Sequence, residues 1–112
     1  MTKYLEKDLE YWDKITRKNS KNLYAWEKKG RVLGFLGRFE EALECFDKAL
    51  EIEPKHVYAW FKKGWALGGL GRYEEALKCY DKALEINPKN ANVLSAKNSV
   101  KRKIENRKRE EM

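Results

Sequence analysis

The residues of this chain best suited to chemistry are few: one histidine (His56), two cysteines (Cys45 and Cys79), two adjacent carboxylate pairs (Glu40/Glu41 and Glu74/Glu75) and the cluster Gly68-Gly69-Leu70-Gly71. General acid–base catalysis would need carboxylates facing one another across a substrate. Adjacent residues of a helix diverge instead, and an acidic pair in a first turn is accounted for by the positive end of the helix dipole. Cys45 and Cys79 are widely separated in the chain and form no C-x-x-C, so they indicate neither a thiolate zinc site nor a disulfide framework and read as reduced packing residues. The glycine cluster lacks the order and the preceding strand of a phosphate-binding loop. His56 has no evident partner and reads as a turn residue at a junction. The expectation is a non-enzymatic chain with no catalytic residues, no metal site and no cofactor.

At 112 residues the chain has the length of one domain, and 42% hydrophobic against 38% charged residues supplies a core inside a heavily solvated surface. The net charge is +7, of which +4 falls in residues 97–112, where seven basic groups meet three acidic ones. The opening residues carry no apolar signal-peptide core, and the longest uncharged run, Gly64 to Gly71, is too short to cross a bilayer. A cytoplasmic protein with no membrane partner is expected.

An internal repeat sets the elements. Leu23–His56 and Val57–Asn90 align without a gap and are identical at 24 of 34 positions. In the first unit Trp26, Gly30, Leu33 and Leu36 recur at helical spacing, Gly37-Arg38 interrupts, and Phe39, Ala42, Leu43, Phe46, Ala49 and Leu50 resume it. Each unit is therefore a pair of helices, with Gly37 or Gly71 ending the first helix and Pro54 or Pro88 following the second. Upstream, Tyr11-Trp12-Asp13-Lys14 lines up with Cys79-Tyr80-Asp81-Lys82, so residues 3–18 read as the second helix of a degraded earlier unit. Downstream, Asn90 is placed to cap a helix with Val93, Ala96, Val100 and Ile104 on one stripe.

The pattern Trp26, Gly30, Leu33, Ala42, Phe46, Ala49, Pro54, repeated as Trp60, Gly64, Leu67, Ala76, Tyr80, Ala83, Pro88, resembles the tetratricopeptide repeat. Lys29 and Lys63 depart from it, standing where the family usually has a large aliphatic residue; their stems are expected to pack while the ammonium reaches water. The resemblance implies an all-α fold, an α-solenoid of antiparallel helix pairs wound as a right-handed superhelix. One domain, 1–112, is expected, with six helices: a degenerate N-terminal helix (3–18), repeat 1 (23–56), repeat 2 (57–90) and a C-terminal capping helix (91–109).

Differences between the two copies point to a surface. Glu27 becomes Phe61, Arg31 becomes Trp65 and Phe35 becomes Gly69, a stripe at intervals of four in the first helix of each unit. First helices in this family line a concave groove that receives an extended peptide or a partner helix. The resemblance therefore implies that Tyr24, Glu27, Lys28 and Arg31, with Tyr58, Phe61, Lys62 and Trp65, face such a groove. A protein-interaction module of scaffold or adaptor type follows, whose partner is a protein or peptide with acidic or aromatic side chains. The family's clamp of Lys, Arg and Asn for a C-terminal carboxylate needs asparagines on this face, and the nearest is Asn92 on the cap.

Other readings stay open. Phe61 and Trp65 could fill the seam with the capping helix, and Glu27 and Arg31 could form a solvated i,i+4 pair. Lys101-Arg102-Lys103 and Arg107-Lys108-Arg109 suit weak nucleic-acid binding, although Glu105, Glu110 and Glu111 interrupt them and no aromatic stands among them. The degraded N-terminal helix also leaves an end through which copies could self-associate as homo-oligomers.

Overall fold

The computed structural model describes residues 2–112. Among them are six helices and no strand: α1 (Thr2–Lys18), α2 (Leu23–Phe35), α3 (Phe39–Ile52), α4 (Val57–Gly69), α5 (Tyr73–Ile86) and α6 (Ala91–Glu111). Local chemistry ends α2 and α4 at the expected glycines and α3 and α5 before the expected prolines, while α6 runs to Glu111, past the expected end at 109. Gly37 and Gly71 adopt φ of +79° and +76°, the left-handed region that a Cβ disfavours. At the first of these turns the Gly37 amide donates to Gly34 O and the Arg38 amide to Leu33 O, a Schellman closure that satisfies the last carbonyls of α2. Asn22 and Asn90 cap α2 and α6 by accepting from the Ala25 and Val93 amides at 3.0 and 3.1 Å. The acidic pairs do fall in the first turns of α3 and α5. There Glu41 and Glu75 each take a two-pronged Arg fork, from Arg38 and Arg72, which holds both carboxyls below their ordinary range.

Close approach governs packing inside each repeat. A Cβ on Gly30 would lie 2.8 Å from the Phe46 ring, and one on Gly64 would lie 2.5 Å from the Tyr80 ring. The second helix of each pair therefore presses an aromatic ring onto bare backbone of the first. Alanines complete the contact: Ala25, Ala42, Ala49, Ala59, Ala76 and Ala83 are all fully buried. Cys45 and Cys79 belong to the same layer, where burial pushes their thiols up to about 12 and about 11 and leaves them protonated.

Between repeats the lysines at the family-atypical position behave differently from the sequence expectation. Lys29 and Lys63 end on carboxylates of the preceding helix rather than in open water. Lys29–Asp13 and Lys63–Asp47 both measure 2.8 Å, and Lys97–Asp81 repeats the bridge at 2.7 Å one unit later. Partly exposed pairs are each worth under about 1 kcal/mol, so the ladder sets the register of successive units more than it stabilises them. The indole N–H groups of Trp26 and Trp60 donate to Ser20 O and Pro54 O at 2.8 Å, tying each turn to the helix after it.

Along the stack, α4 touches both α2 and α6, whereas α1, α3 and α5 make no contact with one another. The stack therefore curves with the first helices on its inner face. Its extents are 49 × 31 × 19 Å and its radius of gyration is 14.8 Å, above the roughly 13 Å of a compact chain of this length. At the far end Arg107 donates to Gly71 O at 2.8 Å and lies 4.7 Å from the Tyr73 ring centroid, fastening α6 to the α4–α5 turn.

Trp65 locks the first two repeats together, since a Cβ on Gly34 would fall 2.2 Å from its ring. The matching Gly68 has open space, with nothing within 4 Å. Gly34→Ala should therefore cost about 1–3 kcal/mol through overpacking, while Gly68→Ala should stabilise by about 0.5–1 kcal/mol through helix entropy. Urea denaturation of both variants checks the opposite signs.

Candidate functional site

The inner face is built by helical spacing. In α2, Tyr24, Lys28, Arg31 and Phe35 follow one another at intervals of three and four; in α4, Tyr58 stands three and four residues before Phe61 and Lys62, and Trp65 four and three after them. Two clefts open on this face beside Arg31. One, of about 410 Å³, lies between α1 and α2, against Tyr11, Trp12, Tyr24 and Lys28. The larger, of about 750 Å³, lies against Tyr58, Phe61, Lys62 and the start of α6. Arg31 and Phe35 border both, so they form the ridge between them.

Aromatic faces hold the cations of this surface. Lys28 Nζ is 5.1 Å from the Tyr24 ring centroid and the Arg31 guanidinium is 5.6 Å from that of Phe35. Lys62 Nζ sits among three rings, at 4.6 Å from Trp65, 5.5 Å from Phe61 and 5.7 Å from Tyr58. Burial, and after it the charge of Arg31, pushes the Lys62 ammonium below the usual lysine range. No carboxylate among the described residues lies within 4.0 Å of Lys28, Arg31 or Lys62.

Glu27 takes a different place from its neighbours. Its side chain is only 13% exposed, and Oε1 is closed off from solvent against Nε2 of His56. His56 thus has a partner that the sequence did not reveal, and Glu27 forms no solvated pair with Arg31. The reason lies in the register: His56 holds the N-cap position of α4, where α2 and α6 have Asn22 and Asn90, but makes no cap bond and turns its ring to Glu27. Burial raises the Glu27 carboxyl above its ordinary range, and the imidazole only partly offsets this.

Phe61 and Trp65 are half-buried and serve different seams. Phe61 packs with the cluster of Tyr80, Val93 and Val100 toward α6, whereas Trp65 packs backward onto the Leu33, Ala42 and Phe46 cluster. Tyr24 and Arg31 are exposed, and Lys28, Tyr58 and Lys62 half-buried. Sequence reasoning left Phe35, exposed at 55%, out of the site and placed Asn90 and Asn92 only on the cap, whereas the α5–α6 turn brings both, with Asn87, to the larger cleft. Phe35 was visible as one of the positions that differ between repeats. Helical spacing within the repeats could not put the asparagines there, because a turn and a helix start place them.

The family model for the tetratricopeptide repeat matches residues 23–56 and 57–90. Comparison with curated protein sequences returns no match. Among solved structures, the TPR domain of Arabidopsis OM64 superposes with a TM-score of 0.83 at 25% identity, covering 89% of this chain and 83% of that one. The first TPR of Spaghetti (RPAP3), bound to the HSP90 peptide SRMEEVD, gives 0.86 at 19% identity over 90% and 80% of the two chains. The second TPR domain of human RPAP3, in complex with the HSP70 peptide SGPTIEEVD, gives 0.83 at 18% identity over 87% and 81%. The last two likenesses are of fold alone.

Because the folded Glu27 carboxyl binds its proton more tightly than the unfolded one, its contribution to stability falls as pH rises above the ordinary glutamate range. Glu27→Gln should therefore gain in melting temperature relative to wild type between about pH 4 and pH 7. Thermal melts of both proteins across that range check this, and a constant difference would remove Glu27 from the pH response.

Proposed function

Because the chain belongs to the tetratricopeptide repeat family, we propose that it is a protein–protein interaction module that receives a peptide of a partner protein along its inner face. It acts as a scaffold or adaptor rather than as a catalyst. The observation that carries this reading is the contrast in charge pairing. Lys29, Lys63 and Lys97 on the seams, and Arg38, Arg72 and Arg107 at the turns, all meet carboxylates. Lys28, Arg31 and Lys62, on the inner face, are held over aromatic rings without one. Lys28 and Lys62 are half-buried, where a cation without a counter-ion is costly, and an incoming carboxylate relieves that cost. The side chain that suits this surface is thus acidic, accompanied by apolar groups to cover Tyr24, Phe35 and Tyr58. The HSP90 and HSP70 peptides of the two structural neighbours are of this acidic kind.

Phe61 and Trp65 both pack against the core, so truncating them would disturb the fold together with any binding. The sharper test reverses charge at two groups outside the apolar core clusters. An Arg31→Glu/Lys62→Glu variant with an unchanged melting curve should weaken capture of specific proteins from cell lysate by about tenfold or more, and raised salt should weaken wild-type capture. Equal capture by both proteins would overturn the groove assignment. Capture that disappears with nuclease would transfer the activity to the basic face of α6.

A further inference from the structure

The inner face contains a seam that the chain fills in one place and leaves open in the next. Between the first two repeats, Trp65 lies across Gly34 and stands edge-on to Phe35 and Phe39, with centroids 5.7 and 5.8 Å away. Advancing each position by one repeat puts Ser99 for Trp65, Gly68 for Gly34, Gly69 for Phe35 and Tyr73 for Phe39. This register holds in three dimensions, because Asn90 caps α6 as Asn22 caps α2, and Lys97–Asp81 repeats Lys63–Asp47. Two large aromatic side chains of the first seam are therefore answered in the second by a serine and a glycine.

What remains there is a cleft of about 330 Å³. Trp65, Gly68, Tyr73, Tyr80, Ser99 and Lys103 are among the residues that line it. The added-Cβ distances at the paired glycines, 2.2 Å to the indole for Gly34 and nothing within 4 Å for Gly68, describe the same backbone position covered and uncovered. The electrostatics also correspond. Lys62 lies over Trp65 in the first seam; its counterpart in α6 is Ala96, and Lys103, 5.6 Å from the Tyr73 centroid, supplies a cation to the second.

Resting on the reading of the inner face as a peptide-binding surface, we propose that this cleft receives an aromatic side chain of the partner peptide, tryptophan by shape, which takes the place that Trp65 fills one repeat earlier. The chain itself shows which occupant this geometry accepts, and Lys103 selects a neighbouring carboxylate on the peptide. The partner's recognition element is then an aromatic residue flanked by acidic ones.

The test is an amide NMR titration of the whole chain with acetyl-Glu-Trp-Glu-amide and with acetyl-Glu-Ala-Glu-amide. The tryptophan peptide should shift Gly68, Gly69 and Ser99 and bind at least about tenfold more tightly than the alanine peptide. Ser99→Trp, which fills the cleft from within, should abolish that advantage while leaving the shifts around Arg31, Tyr58 and Lys62. Gly68→Leu fills the same space from α4 and replaces Ser99→Trp if circular dichroism shows that variant unfolded. Equal binding of the two peptides, or unchanged preference in the filled variants, overturns the cleft and leaves the groove standing. No shift anywhere on the inner face with either peptide overturns both. A concentration-dependent dimer that Ser99→Trp dissolves would make the occupant a second copy of the chain and overturn the peptide assignment.

Discussion

The structure depends on an aromatic ring lying against a glycine backbone. In each repeat the ring of Phe46 or Tyr80 rests where a Cβ on Gly30 or Gly64 would have to be, and fully buried alanines such as Ala42 and Ala76 share the cluster and allow the close approach. This contact sets how closely the two helices of a pair can lie. Because the second helices spend their apolar stripe on it, their opposite faces carry charge, and the first helices are left to meet one another on the inside of the curve.

Stacking the units uses two further devices of different strength. The Asp–Lys ladder recurs once in every repeat and aligns successive units, but partly exposed pairs contribute little energy. Trp65 contributes more, since it brings a large apolar surface into the seam and closes over Gly34. It occurs once. At the end of the stack α6 relies instead on Val93 and Val100 and on the Arg107 clip to the Gly71 carbonyl. The face of α6 that corresponds to the α5-facing side of α4 carries Asn98 and Lys101 in place of Gly64 and Leu67, a bulkier and more polar surface than the one α5 packs on.

Charge is divided in the same way as packing. Seam and turn cations are paired, so the net positive charge of the molecule says little about binding as a total. The inner face differs because Glu27 is withdrawn to His56, and Lys28, Arg31 and Lys62 lie over aromatic rings with no carboxylate in salt-bridge range among the described residues. A basic tail that looks free in the sequence is also partly engaged: Lys97 meets Asp81, and Arg107 meets Gly71 O and Glu74.

The helices, their ends and the repeat were legible in the sequence, because they follow from local rules: apolar spacing, glycine at φ > 0, proline after the last turn, and identity at 24 of 34 positions. The membership of Tyr24, Lys28, Arg31, Tyr58 and Lys62 in one face also follows from helical spacing within each repeat. What tertiary structure decided is which of those side chains remain available. Glu27 and His56 are separated in the chain by the whole of α3 and meet only because the turn before α4 returns to α2. Trp65 becomes a wedge only when Gly34 lies opposite, and Ser99 borders a cleft only because α6 supplies nothing larger. Periodicity assigns a residue to a face, but the neighbour across a seam decides whether that face is filled, paired or open.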